Sequence, residues 1–398
     1  MRADHIPVPR YRRTRAPTLL KHGFRPFFLA AGLHAGAAMG YWMLQLSGTA
    51  PMPPSPFGPI GWHTHEMLFG FAGAAIAGFL LTAIPNWTGR MPLQGGPLAL
   101  LVVLWAVGRG AVWGGGALGP WWVAALDLAF PLCLLAAVLR EILAGRNRRN
   151  LPVTAALGLF TLANAASHAE AAGWRLADGV DALGRNLGLA VLVLLIALIG
   201  GRITPSFTRN WLAKRGAVRL PAPFGPLDGI ALGLTLAALI LILVAPGDWP
   251  AAVASGSAAL ALAVRLARWR GLATAREPML LVLHLGYGWL VVGFALAALA
   301  AILPSVPPTA AAHAFGVGAV GTMILAVMSR ATLGHTGATP VADRWTTLIY
   351  GLIQIAALAR LTAVLAPAWT QPALSVAGFA WIAAFGGFVL LYGPRLAR

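Results

Sequence analysis

GWHTHEMLFGFAGAAIAGFLL (residues 61–81) opens with two histidines and a glutamate and continues as an apolar run. Crossing the hydrocarbon layer of a bilayer takes roughly 20 mostly apolar residues, so this stretch reads as a membrane span. The rest of the chain has the same character. Of 398 residues, 59% are hydrophobic and 10% charged, and the mean hydropathy is +0.76. That leaves too little polar material to coat a water-soluble fold of this size.

Twelve such runs can be marked, near 26–47, 62–84, 97–113, 121–143, 152–173, 182–204, 226–246, 251–269, 278–303, 309–330, 345–366 and 372–393. The expectation is an all-α integral membrane protein of about 12 transmembrane helices, with a basic arm over 1–25 and one membrane domain over 26–398.

The net charge of +18 and the pI near 11.7 would point to nucleic acid in a soluble protein. Here the placement of the charges decides otherwise. With the N-terminus cytoplasmic, all of the 29 Lys and Arg except Arg109, Arg175, Arg185 and Arg360 fall in the arm, the even-numbered connections, the inner helix ends or the C-terminus. This is the positive-inside pattern, with both termini cytoplasmic. The expected partner is therefore the bilayer, and no nucleic acid, because phosphate recognition needs a concentrated basic face. RYRRTR (10–15) acts as an orientation signal that also touches anionic lipid, with no cleavable signal peptide expected. The lone Cys133 excludes an intrachain disulfide and a CxxC metal site, and is expected as a small core residue.

The chain also matches itself. RPFFLAAGLHAG, NLPVTAALGLF and EPMLLVLHLGYG begin their helices at the equally spaced Pro26, Pro152 and Pro278. Helices two, six and ten end inward with TAIPNWTGR, GRITPSFTR and MSRATLGHTG. His65, Arg185 and His313 precede Pro85, Pro205 and Leu333 by the same interval. Three pseudo-repeated four-helix units follow, over 26–150, 152–276 and 278–398.

Ionisable side chains at membrane depth are costly and mark a cavity, a partner or a cofactor. Read by depth, His63, His65, Glu66, Arg109, Asp127, His168, Glu170, Arg185, Asn186, His313 and Arg360 form an outer layer, with His34 and His284 further in. His22, Arg25, Asn86, Arg90, Arg202, Arg330 and His335 line the inner boundary, and His5 lies in the arm. Converging imidazoles suit iron or copper, and arginines suit the propionates of a haem. His65 and His313 are the expected haem ligands, with Arg109, Arg185 and Arg360 for the propionates. His63 and His168 are candidates for copper or for orienting a ligand, and His34 and His284 for an inner polar or metal site.

The irregular PFGPIGW approach places His63 at or ahead of the helix start, so the two histidines of WHTHEM need not share a face. Glu66 then falls in the first turn, where the helix dipole favours a carboxylate, although orienting a metal ligand or relaying protons suits it equally. Trp42, Trp62, Trp87, Trp121, Trp122 and Trp249 read as interfacial anchors. No Walker A loop, CxxCH, HExxH or paired-carboxylate motif occurs. A metal, haem or solute transporter remains a rival reading, since repeats of spanning helices are common in carriers. A non-catalytic haem sensor or assembly factor is another.

Six ordered segments then carry a resemblance: HGFRPFF at 22–28, WHTHEMLFGF at 62–71, GFLLTAIPNWTGR at 78–90, HLGYGWLVVG at 284–293, HAFGVGAVGTM at 313–323 and SRATLGHTG at 329–337. Over nearly its whole length the chain resembles the NnrS family of bacterial inner-membrane proteins, with Thr64 where the family usually has alanine. The resemblance implies a twelve-span protein containing haem and copper, linked to nitric oxide, nitrosative stress and denitrification. It directs attention to His22, Arg25, His63, His65, Glu66, Asn86, Arg90, His284, His313, Arg330 and His335 without assigning metal ligands. Three four-helix units also resemble the main subunit of haem-copper oxidases. That likeness concerns fold alone. The oxidases' adjacent histidine pair and His-Pro-Glu-Val segment are absent, so oxygen reduction is not expected.

Overall fold

A computed structural model describes residues 15–176 and 182–398, so His5 and most of the basic arm lie outside the described residues. Among the described residues there are helices and no strands. Twelve long helices follow one another: α1 (Phe24–Leu46), α2 (Gly58–Thr88), α3 (Gly96–Gly114), α4 (Pro120–Ala144), α5 (Leu151–Ala171) and α6 (Leu183–Ala213). The second half comprises α7 (Pro226–Val244), α8 (Trp249–Ala267), α9 (Pro278–Ile302), α10 (Pro308–His335), α11 (Arg344–Leu365) and α12 (Thr370–Ala397).

Local chemistry sets many of the boundaries. Helices α2 to α5 and α7 to α10 carry proline in their first two positions, where its missing N–H costs no helical hydrogen bond. Gly89 ends α2 in the left-handed region at φ 70°, a conformation that glycine adopts without a Cβ clash. Asp343 caps α11 by accepting the Thr346 N–H at 2.7 Å.

Eleven of these helices are long and apolar enough by composition to span a bilayer. The remaining one, α5, is long enough but turns Thr154, Thr161, Asn164, Ser167 and His168 inward. Its polar face belongs to a site.

Depth of burial identifies the centre. The spanning windows of α2, α6 and α10 are 72%, 50% and 67% buried, whereas those of the other candidate spans reach at most 39%. The three central helices touch one another, and α1 packs on α12, bringing the first and last helices side by side. Trp381, Phe385 and Phe388 of α12 pack with Phe27, Phe28 and Phe71 in the core. Large apolar side chains such as Trp122, Leu260 and Leu390 remain exposed on the outside, as a lipid-facing surface requires.

Each central helix also widens into a π-helical segment: Glu66–Ala72 in α2, Ile196–Gly200 in α6 and Ala314–Gly321 in α10. In α2 and α10 the segment starts directly after His65 and His313. Wider winding alters the carbonyl pairing, and neighbours reach in to bind the altered groups. Trp105 Nε1 donates to the Gly70 carbonyl at 3.1 Å. The fully buried Arg265 donates to the Ala197 and Gly201 carbonyls at 3.0 and 3.4 Å while pairing with Asp228 at 2.8 Å.

Three expectations change here. Helix α2 begins at Gly58, so His63 lies inside it and Glu66 falls beyond the first turn. Trp62 is fully buried against Tyr41 and Trp113, because the early helix start turns it into the bundle; it is not an interfacial anchor. Cys133 is exposed on α4, so it is not a core residue.

Candidate metal centre

We call the face at which the even-numbered helices begin the upper face, and the opposite one the lower face. His63 and His65 stand two residues apart on α2, so they project about 200° apart and enter different groups.

His65 is buried and faces α4 and α5. Its Nε2 lies 2.9 Å from Asn164 Oδ1 and 3.3 Å from Asp127 Oδ2. His168 Nε2 lies 3.0 Å from the same Asp127 oxygen. The ligand atoms of His65, Asp127 and His168 all lie within 4.8 Å of one another. For bonds near 2.0 Å, tetrahedral donor atoms sit roughly 3.3 Å apart, so this spacing suits one metal ion. Phe57 packs over both imidazoles at 4.4 and 4.9 Å between ring centroids, and Phe69 packs on His65 from below.

The surrounding groups fix the donors. His65 Nδ1 lies 3.3 Å from Glu66 Oε1. Nε2 donates to Asn164 Oδ1, whose amide nitrogen is committed to Asp127; a proton moved to Nδ1, toward Glu66, would free Nε2 to ligate a metal. Glu66 is itself held by Arg109, by Trp113 Nε1 at 2.7 Å and by His34 Nε2 at 2.8 Å. Arg109 also donates to Asp127 Oδ1, leaving Oδ2 for the histidines and the Asn164 amide. Two carboxylates face one guanidinium in an interior that solvates charge poorly. One negative charge remains for a metal ion or an imidazolium to balance.

His63 belongs to a second group. Its ring stacks on Trp42 at 4.6 Å, and its Nδ1 is buried without a hydrogen-bond partner among the described residues. His313 and Arg360 lie within electrostatic reach of it. His313 Nδ1 lies 2.7 Å from the Thr309 carbonyl; donation there leaves Nε2 as an acceptor. Thus the structure sets His65 beside Asp127 and His168, and brings His63, His313 and Arg360 within electrostatic reach of one another. Arg109 is committed to the two carboxylates, and Arg185 is half-buried in the first turn of α6.

The deeper histidines have separate partners. His34 joins Glu66, whereas His284 Nε2 bonds Thr208 Oγ1 at 2.9 Å. At the lower face Arg25 Nη1 donates to the Arg395 and Leu396 carbonyls, each at 2.9 Å, tying α1 to the end of α12. The Phe24 ring lies between those of His22 and His335. Arg90 pairs with Glu141 at 2.5 Å, Asn86 bonds the Thr82 carbonyl at 3.3 Å, and Arg330 lies over Phe207 at 4.1 Å.

Asn164 and Trp113 carry no expected role from the sequence alone, and Asp127 no expected partner. An acid within the apolar PWWVAALDLAF and an asparagine one turn before His168 were the available signals.

Fold and site together define a multi-pass helical membrane protein with a buried histidine–carboxylate centre. A family model described as NnrS protein matches residues 18–398, and the chain belongs to this family. No curated protein matches it.

Proposed function

We propose that this chain is a haem- and copper-binding protein of the bacterial inner membrane that acts in the response to nitric oxide. The convergence of His65, Asp127 and His168 on one point inside the bundle carries the metal part of this reading. Imidazole and carboxylate donors with one unbalanced negative charge suit copper. In this reading Glu66 orients His65, and Arg109 holds both carboxylates in place. His63, His313 and Arg360 would hold a haem, the imidazoles offering nitrogen to its iron and the guanidinium pairing with a propionate. This departs from pairing His65 with His313, because His65 faces the other group. Membership of the NnrS family supports the nitric oxide role. The upper face is then periplasmic and the arginine-rich lower face cytoplasmic. When bound, the metals would supply redox chemistry or affinity for nitric oxide, while the chain's own groups position them and exclude water.

Purified protein should show haem absorbance and bound copper. His63→Ala with His313→Ala should remove the haem signal, and His168→Ala should lower copper alone. Absence of both cofactors from the wild type would contradict the proposal. Nitric oxide consumption with an electron donor would separate turnover from sensing or assembly.

A further inference from the structure

The lower ends of α2, α6 and α10 line a partly open cavity of about 670 Å³ that also touches α1, α5 and α9. Its polar lining includes Asn86, Asn150, Arg202, Arg330 and His335, and no carboxylate. Neither arginine has an ion-pair partner among the described residues. Glu277, whose charge reaches Arg330, lies 3.3 Å from each of the Met279 and Ala342 N–H groups that it accepts. Arg202 and Arg330 stand at the same register of α6 and α10, ahead of Pro205 and Leu333, and so bring two positive charges to one mouth.

Above the mouth lies a chamber of about 110 Å³ lined only by apolar side chains and glycine. The two volumes share Phe28, Phe79, Val153, Ile199, Ile203 and Val327, so they adjoin at these side chains. One end can solvate an anion. The other can solvate only hydrocarbon.

We propose that this axial cavity binds an amphipathic anion, a carboxylate or phosphate on an acyl chain, with its head at Arg202 and Arg330 and its tail directed toward the chamber. A free inorganic anion would leave the apolar chamber unused, and a neutral long-chain lipid would offer the two guanidinium groups no anionic partner. The site is separate from the buried metal centre and does not depend on it.

Detergent-purified wild-type protein is titrated with palmitate, lysophosphatidate, hexadecanol and inorganic phosphate by calorimetry. The quenching of Trp87, which lines the cavity, by brominated palmitate is read in parallel and corrected with Trp87→Phe. Binding of palmitate or lysophosphatidate supports the proposal and distinguishes a carboxylate head from a phosphate head. Loss of about tenfold or more in affinity in Arg202→Gln with Arg330→Gln, and loss on filling the junction in Ile199→Trp, would support it further. Retention by Arg330→Lys would show that charge is the requirement and provides a variant with less risk to folding. Hexadecanol binding as tightly as palmitate, inorganic phosphate binding as tightly as lysophosphatidate, or no acyl anion quenching Trp87 in the wild type would overturn it.

Discussion

Arg109 holds Glu66 and Asp127 at once, and its value to the fold lies in what its loss leaves behind. Without it two buried carboxylates repel each other with no water to solvate them. Breaking a buried pair by removing one partner costs about 3–5 kcal/mol, so Arg109→Gln should lower thermal stability strongly. Adding Asp127→Asn removes one of the stranded charges and should recover part of that loss. A double-mutant cycle read by thermal unfolding in detergent checks this. Strict additivity would show that the two residues are not coupled.

At the scale of the element, the π-helical segment of α2 brings its backbone close to the site. A Cβ on Gly70 would lie 2.6 Å from His34 Nε2 and 3.0 Å from Arg109 Nη1. Gly70→Ala should therefore push both side chains off Glu66 and reduce bound metal, while Gly36→Ala, on open surface, should not. Equal metal content in the two variants would contradict that view. The cap of helix α11, which precedes the span, offers a contrast outside the membrane. The Thr346 N–H holds the Asp343 carboxyl below its usual range. A lowered value stabilises the folded state above the ordinary carboxylate range, and that contribution is lost as pH falls through the folded value. Asp343→Ala should cost about 1 kcal/mol near neutral pH and progressively less in acid. Thermal unfolding at several pH values provides the measurement.

At the scale of the whole molecule, the sequence exposed the twelve-helix plan because hydrophobic length and arginine placement are one-dimensional signals. It located the bodies of α2, α6 and α10 but cut them short, since TRNWLA and ATLGH continue their helices after hydrophobicity has ended. The facing of side chains was less legible. His63 and His65 were both recognised, yet their partners depend on a helix start at Gly58 and on π winding after His65, neither of which apolar spacing encodes. Asp127, Asn164 and His168 meet His65 only because α4 and α5 pack beside α2. The proposed orientation rests on charge placement. In a Cys133→Ser background, Ser305→Cys should react with an impermeant thiol reagent in intact cells, and Arg219→Cys only after permeabilisation. The opposite pattern would invert the assignment of the two faces.

The proposed copper site at His65, Asp127 and His168 is open to direct spectroscopy. X-ray absorption at the copper edge of the purified protein, combined with metal content, tests it most directly. Copper held there should show imidazole nitrogen and carboxylate oxygen donors, and should be lost in His65→Ala with His168→Ala but retained in His63→Ala with His313→Ala. Copper that persists unchanged in the first pair, or disappears only in the second, would contradict it.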